Sequence, residues 1–304
     1  MHPFAQYLLR STLNGFSQIF LQRHRGCGLL ILIVIGLNDP FLLIGALAGL
    51  LAGTATAWCC DYARSDIETG LYGYNAALLG LLITHLLGFL YITLLIAAAV
   101  GALSSLPQHY LLRGRRERHG LSGFTLPFVL LGWLMLALCA PMEPTGDLPS
   151  SAYQLDGWGA LEGVLRGIAQ IILLSDPFAG LCLFAGLLMA NRRAAFWALC
   201  GSAIGIYMAL LTGAAEHHAL AGLAGYNPAL AALALSQTHR SPVAPALGIA
   251  LAIIGRLAFE RLGIAPLTMP FILACWAVAL AAEINQRQRL CNRPYDQPLV
   301  ERGS

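Results

Sequence analysis

The stretch Gly70-Leu-Tyr-Gly-Tyr-Asn-Ala-Ala-Leu78 returns 152 residues later as Gly222-Leu-Ala-Gly-Tyr-Asn-Pro-Ala-Leu230. The shared glycines, tyrosine, asparagine and leucine keep the same spacing in both copies. A duplication of this length is hard to reach by chance. We therefore predict that the chain consists of two related halves, residues 1–150 and residues 151–304.

Further matches occur in the same order along both halves. Gln18-Ile19 matches Gln170-Ile171 at the same offset of 152 residues. A Thr-x-Pro-Phe motif followed by a tryptophan is also duplicated, at an offset of 143 residues. The residues of this second pair of motifs are Thr125, Pro127, Phe128 and Trp133 in the first half and Thr268, Pro270, Phe271 and Trp276 in the second.

The composition indicates an α-helical membrane protein. Apolar residues make up 58% of the chain, charged residues 11%, and the mean hydropathy is +0.68, whereas soluble domains contain about 25% charged residues. Residues 69–112 and 194–215 contain no Asp, Glu, Lys or Arg, and each stretch exceeds the roughly 20 residues of a membrane-spanning helix. The apolar runs are continuous, which favours helices over the alternating pattern of a membrane barrel.

Ten apolar segments are predicted, five in each half. Two of them, 25–37 and 177–190, are too short to cross about 30 Å of hydrocarbon alone. We predict that they are extended by neighbouring turns or packed against other helices. The segments are 25–37, 40–60, 72–88, 90–107 and 124–141, followed by 177–190, 193–213, 222–237, 242–257 and 265–283.

The odd number of crossings in each half predicts an inverted repeat. After five crossings the second half must enter the membrane from the opposite side, which places a pseudo-two-fold axis in the membrane plane. Residues paired by the repeat then face each other near the middle of the membrane. The segments 7–21 and 160–174, each with a late glutamine, are predicted to be re-entrant half-helices, with interfacial amphipathic helices as the alternative.

The charges predict that both termini are cytoplasmic. All 18 basic residues are arginines, and they are densest at 113–118 and 192–193, whereas the loop 142–165 carries four acidic residues. By the positive-inside rule, the arginine clusters face the cytoplasm, although this topology puts Arg256 and Arg261 outside. The net charge of +3 is spread over loops and termini, so a nucleic-acid partner is not expected. The eight cysteines lack CxxC spacing, and no metal or other cofactor is expected.

The near absence of ionisable groups from the apolar segments suits a neutral solute. Paired glutamines can supply amide oxygens and paired threonines can supply hydroxyls. The tyrosines and leucines of the duplicated glycine-rich motif, Tyr74, Leu78, Tyr226 and Leu230, can form a flat slot. Each role has a structural alternative: the Tyr and Leu pairs could be core packing, Thr125 and Thr268 could cap helices, and Asn75 and Asn227 could satisfy backbone at a helix start. The candidate pore residues are Gln18, Ile19, Leu21, Tyr74, Leu78, Thr125, Gln170, Ile171, Tyr226, Leu230 and Thr268.

These duplicated motifs, with the glutamine segments Gly15-Phe-Ser-Gln18 and Gly167-Ile-Ala-Gln170, resemble the urea transporters over nearly the whole chain. The resemblance implies a homotrimer in the bacterial inner membrane, with a pore in each protomer and passive, channel-like urea flux. It also implies that Thr125 and Thr268 mark the narrow middle of the pore, that Gln18 and Gln170 belong to rows of acceptor oxygens, and that Tyr74, Leu78, Tyr226 and Leu230 shape a flattened slot.

The chain departs from the family pattern at several positions. Tyr74 and Tyr226 stand where phenylalanine is usual, and Gly123 replaces a proline that the second half keeps as Pro266. The preferred solute is therefore left open between urea and another small neutral solute, such as ammonia or a short amide. An ion-coupled transporter is a further alternative. A membrane-embedded enzyme is not expected, since the segments hold no convincing catalytic constellation.

Overall fold

The computed structural model describes residues 3–118, 122–139 and 155–291, and every regular element in these ranges is helical. Most of the acidic loop predicted at 142–165 and the tail after Cys291 lie outside the described residues. A 3₁₀ turn at Gln170–Ile172 follows α8. The helices are α1 Pro3–Gln18, α2 Arg25–Asn38, α3 Pro40–Cys59, α4 Arg64–Glu68, α5 Tyr74–Leu87, α6 Tyr91–Arg118, α7 Leu126–Cys139, α8 Gly157–Ala169, α9 Pro177–Ala190, α10 Arg192–Leu211, α11 Glu216–Leu220, α12 Tyr226–Thr238, α13 Val243–Arg261 and α14 Met269–Cys291.

The order of helices in α1–α7 is repeated in α8–α14. Helices α2 and α9 each contain 14 residues, α3 and α10 each contain 20, and α4 and α11 each contain 5. The starts of α2, α3, α4, α5 and α6 all recur 152 residues later. The duplication of short motifs in the sequence is therefore a duplication of whole elements.

The structure differs from the sequence-based segments at two kinds of position. Helix α6 continues through Pro107 to Arg118, whereas the predicted segment stops at 107, because proline usually ends or bends a helix. The one-turn helices α4 and α11 were not predicted. They are too short to show a helical period, and Ile67 and Leu220 bury their side chains in the packed structure.

Within the described ranges, four helices are long and apolar enough to cross a membrane: α3, α10, α13 and the part Tyr91–Gly114 of α6. Helices α8 and α9 together make a further candidate that is bent by 74°. Several other apolar helices are shorter: α2, α5 and α7 have 14 residues each, about 21 Å at 1.5 Å per residue. The structure thus has helices at all ten predicted positions, while length and composition alone identify four or five spans.

Close helix packing within each half depends on glycines. A Cβ on Gly49 of α3 would lie 2.2 Å from the carbonyl oxygen of Ala76 in α5, and one on Gly201 of α10 would lie 2.5 Å from that of Pro228 in α12. Small residues of this kind let helices in a membrane approach until their backbones touch. The same device therefore holds α3 to α5 and α10 to α12.

The two halves share one hydrophobic core and contact each other reciprocally. The indole Nε1 of Trp133 donates to the carbonyl oxygen of Ala265 at 2.8 Å, and Nε1 of Trp276 donates to that of Ser122, also at 2.8 Å. Each half thus makes the same contact to the other half, which is typical of two units related by a two-fold axis. These contacts bring the loop before each of α7 and α14 against the other helix.

Candidate permeation site

An asparagine organises the loop that precedes α7. Asn75, at the start of α5, donates through Nδ2 to the carbonyl oxygen of Phe124 at 3.5 Å and accepts through Oδ1 from the amide of Phe128 at 3.3 Å. Its side chain is 1% exposed. The Oδ1 of Asn75 therefore accepts from one of the backbone N–H groups that the first turn of α7 leaves without a partner inside the helix. The predicted alternative for Asn75, contact with backbone at a helix start, is found.

The second half repeats this arrangement. Asn227 donates to the carbonyl oxygen of Leu267 at 2.8 Å and accepts from the amide of Phe271 at 3.1 Å. The two tyrosines bind the same carbonyls: the hydroxyl of Tyr74 donates to Phe124 and that of Tyr226 to Leu267. The hydroxyl groups that distinguish these tyrosines from phenylalanine thus contact backbone.

Thr125 and Thr268 lie at the junction of the halves. Their hydroxyl oxygens are 2.6 Å apart, and both residues are buried. Each threonine directly precedes a helix, yet its hydroxyl bonds the other threonine, while the asparagines supply the side-chain caps. The expected proximity of Thr125 and Thr268 is therefore found, and it joins residues separated by 143 positions.

Two cavities flank this junction, and we name them by the half whose residues line most of each wall. The first vestibule has a volume of about 230 Å³ and the second about 290 Å³. Eight residues of the first have counterparts in the second at the offsets of the repeat. The counterparts of Gln18, Leu21, Leu71, Tyr74, Gln108, Ser122, Gly123 and Phe124 are Gln170, Leu173, Leu223, Tyr226, Glu260, Ala265, Pro266 and Leu267.

Strained backbone occurs at both vestibules. Leu21 and Leu173 have φ angles of 56° and 61°, and Phe124 and Leu267 have φ angles of 44° and 42°. Non-glycine residues in this left-handed region cost about 1 to 3 kcal/mol each. All four line a vestibule, so the packing of each half holds its cavity wall in an unfavourable backbone conformation.

The two glutamines are held in equivalent ways. The Nε2 of Gln18 donates to the carbonyl oxygen of Thr69 at 3.1 Å, and that of Gln170 donates to the carbonyl oxygen of Ala221 at 3.0 Å. Gln170 also donates to the hydroxyl of Ser175 at 2.9 Å. Because these bonds engage the amide NH₂ groups, the amide oxygens remain as the acceptors that the side chains can offer at the vestibules.

The remaining predicted residues divide between the cavity walls and the core. Ile171 lines the second vestibule, as does Phe128 of the first half. Ile19, Leu78 and Leu230 are each 1% exposed and belong to the shared hydrophobic core. Their part in a permeation slot stays a prediction. Pro127 and Pro270 lie in the first turn of α7 and α14, where a missing amide leaves no helical bond unmade.

The structure adds vestibule residues that the sequence reasoning missed. Phe124 and Leu267 have no signature in the sequence, because their left-handed conformation and their contacts with the tyrosines depend on the folded loops. Gln108 lines the first vestibule and Glu260 lines the second. These two are also separated by 152 residues, so a comparison of the sequences of α6 and α13 at this offset identifies them as a pair.

The electrostatics of the two vestibules differ. Among the described residues of the walls, Arg23 is the charged member of the first and Glu260 that of the second. Glu260 forms an ion pair with Arg256, one turn earlier in α13. Arg256 is 6% exposed, so it is not one of the exposed loop arginines to which the positive-inside rule applies. In the first half, Gln108 instead accepts a hydrogen bond from Asn75 at 3.2 Å.

Comparison with known proteins identifies the family. The profile of the family described as "Urea transporter" matches residues 9–283. Urea transporter 1 of Ovis aries is 27% identical over 293 residues, which cover 90% of this chain and 76% of that protein. Urea transporter 1 of Rattus norvegicus is 26% identical over 265 residues, which cover 81% of this chain and 69% of that protein. With nearly the whole described chain matched, this protein belongs to the urea transporter family.

Proposed function

We propose that the chain transports urea passively along a path that joins the two vestibules through Thr125 and Thr268. The observation that carries this proposal is the buried contact of the two hydroxyls at 2.6 Å, between wall segments that are equivalent in the repeat. Membership of the urea transporter family supports urea as the solute. The family and its relatives give no support to another neutral solute.

The chemistry of the path suits a planar solute with several N–H donors. Each donor that leaves water without a new partner costs about 1 to 3 kcal/mol. The amide oxygens of Gln18 and Gln170 can accept at the vestibules, and the hydroxyls of Thr125 and Thr268 can accept at the centre. Phe124 and Tyr226 are large flat groups of the walls. A row of acceptor oxygens would replace the hydrogen bonds to water that urea loses, and the flat apolar walls would contact its two faces.

Passive transport agrees with the charges of the walls. Ion-coupled transporters place ionisable groups within the membrane as coupling sites. Among the described residues that line the vestibules, the charged ones are Arg23 and Glu260, and the latter is paired with Arg256. This arrangement favours facilitated, channel-like movement down the urea gradient.

The proposed architecture is an inverted repeat of ten membrane helices and two re-entrant half-helices, with residues 1–150 and 151–304 as the two units. The repeated helix order, the reciprocal tryptophan contacts and the bend between α8 and α9 support it. We further propose a homotrimer in a bacterial inner membrane, with one pore in each protomer and both termini in the cytoplasm. Exposed apolar side chains on α6, such as Tyr91 and Leu95, suit contact with lipid or with another protomer.

The test is stopped-flow light scattering of proteoliposomes in an inward or outward urea gradient. Urea permeability well above that of protein-free vesicles is expected, with no change on adding sodium or a pH gradient. Thiourea, formamide and ammonia, measured in the same vesicles, define the solute preference. Urea permeability equal to that of protein-free vesicles would refute the proposed function, and a dependence on an ion gradient would replace passive transport with coupled transport.

A further inference from the structure

A third cavity lies beside the second vestibule, and we call it the side cavity. It has a volume of about 480 Å³ and is lined by residues of α10, α11, α13 and the loops on either side of α11, including Ala214, Ala224, Arg256, Glu260 and Arg261. Leu223 and Glu260 belong to both the side cavity and the second vestibule. The two spaces therefore share part of their walls.

Aromatic side chains fill the equivalent space in the first half. Tyr62 and Tyr72 stand 152 residues before Ala214 and Ala224. The ring of Tyr62 stacks on His109 with 3.8 Å between centroids and contacts Tyr72 at 5.3 Å. Tyr72 is 2% exposed. The side cavity therefore exists because the second half has alanines where the first half has packed tyrosines.

The polar groups also change between the halves. Ser104, Gln108 and His109 of α6 correspond to Arg256, Glu260 and Arg261 of α13. A neutral set is thus replaced by two guanidinium groups and one carboxylate. Among the described residues, Glu260 is engaged by Arg256 and Arg261 has no carboxylate partner, so the described wall of the cavity has a net positive charge.

Arg256 is the least expected of these residues. It is 6% exposed, and its Nε has no hydrogen-bond partner among the residues that the structure describes. A buried guanidinium with an unused donor is unfavourable unless a further acceptor is present. Alanine walls, an open volume and an incompletely bonded arginine together indicate a space built to receive an acceptor.

The chemistry of the two arginines selects the class of ligand. A guanidinium presents donors in a planar fork that matches the oxygens of a carboxylate or a phosphate group. We propose that the side cavity binds a small oxyanion, which contacts Arg256 and Arg261 and competes with Glu260 for Arg256. Binding releases the Glu260 carboxylate towards the second vestibule, so the oxyanion alters urea permeation. This second step rests on the proposed function, whereas binding does not.

The binding test uses the full chain in a phospholipid-free detergent, with sodium acetate as the probe and saturation-transfer NMR as the readout. Acetate is expected to bind saturably and to be displaced by inorganic phosphate. Arg261→Gln removes one charged donor and should weaken binding about tenfold. The double variant Ala214→Tyr/Ala224→Tyr restores the side chains of the first half and should abolish binding.

Arg287→Gln is the matched control. Arg261 and Arg287 are both exposed arginines, and Arg287 lies on α14, where it pairs with Glu283 one turn away. It should bind acetate as the wild type does. Unaltered elution and thermal unfolding show that each variant is folded. Absence of saturable binding to the wild type, or equal binding to the cavity-filled variant, overturns the proposal. Displacement of acetate by short-chain phosphatidylglycerol more strongly than by free phosphate assigns the oxyanion to a lipid headgroup, and the reverse assigns it to a free anion.

The second step is tested in proteoliposomes with and without saturating acetate. Urea permeability should change in the wild type and stay constant in Arg261→Gln, and an unchanged wild type refutes the coupling. Failures of the two proposals are distinguishable. Acetate binding without urea flux would leave the side cavity assigned and remove urea transport. Urea flux without acetate binding would support urea transport and overturn the assignment of the side cavity.

Discussion

Replacement of the threonine pair by valine separates a role in permeation from a role in packing. Valine keeps the branched shape of threonine and substitutes a methyl group for the hydroxyl. In Thr125→Val or Thr268→Val, the remaining hydroxyl loses the partner that lies 2.6 Å away in a buried environment. In the double variant both hydroxyls are absent, so that neither position keeps an unpaired hydroxyl.

The magnitudes follow from these changes. A buried hydroxyl without a partner destabilises a protein by about 1 to 3 kcal/mol, whereas removal of both partners can be nearly neutral. Permeation should behave differently, because a solute N–H that finds no acceptor adds about 1 to 3 kcal/mol to the barrier. Since about 1.4 kcal/mol corresponds to a factor of ten in rate, each single variant should lower urea permeability on the order of tenfold. The double variant should lower it further.

The assay combines stopped-flow urea permeability with thermal unfolding of the same preparations. The single variants should be less stable than the wild type, and the double variant should recover much of that stability while conducting least. Thr125→Ser/Thr268→Ser is the control, because it keeps both hydroxyls and should retain most of the flux. A double valine variant that folds normally and conducts like the wild type would refute the role of these hydroxyls as acceptors for the solute.

Three further predictions concern the vestibules and the frame that holds them. Gln170→Leu should lower urea permeability on the order of tenfold by removing an acceptor and leave oligomer size unchanged; flux equal to that of the wild type would contradict its placement in the row of acceptors. Asn227→Ala should lower the free energy of unfolding by about 2 kcal/mol, as measured by thermal unfolding in detergent, because it leaves the amide of Phe271 without its side-chain partner and the carbonyl of Leu267 with the hydroxyl of Tyr226 as its remaining side-chain donor. Gly49→Ala should prevent normal packing of α3 on α5, because its Cβ would lie 2.2 Å from the carbonyl oxygen of Ala76. The yield of folded protein in size-exclusion chromatography should therefore fall. Gly114→Ala is the control, because a Cβ there meets nothing within 4 Å, and it should leave the yield unchanged.

The match between prediction and structure is best where the repeat applies. Helices α2, α3, α9 and α10 begin and end within a few residues of the predicted segments, because long apolar runs bounded by polar residues determine where a membrane helix can lie. The proximity of Thr125 and Thr268 was also predicted, because residues related by an inverted repeat face each other at its axis. The duplication carried information about tertiary contacts that a single copy lacks.

Local sequence was less informative where tertiary packing overrides local preference. Pro107 indicates a helix end, yet α6 continues past it, packed along α3 and α5. The left-handed conformation of Phe124 and Leu267 has no signature in their side chains. It depends on the asparagine and tyrosine that hold their carbonyl oxygens from another helix.

The sequence by itself determined the helical membrane class, the two related halves and some of the residues that line the candidate site. Hydropathy and repeated spacing are properties of the chain that can be read before it folds. Only the tertiary structure decided that the tyrosine hydroxyls bind backbone, that Leu78 and Leu230 lie in the core, and that Arg256 is buried beside an open cavity. These outcomes depend on which side chains fill the space between helices distant in sequence, and two halves with one fold can fill that space differently.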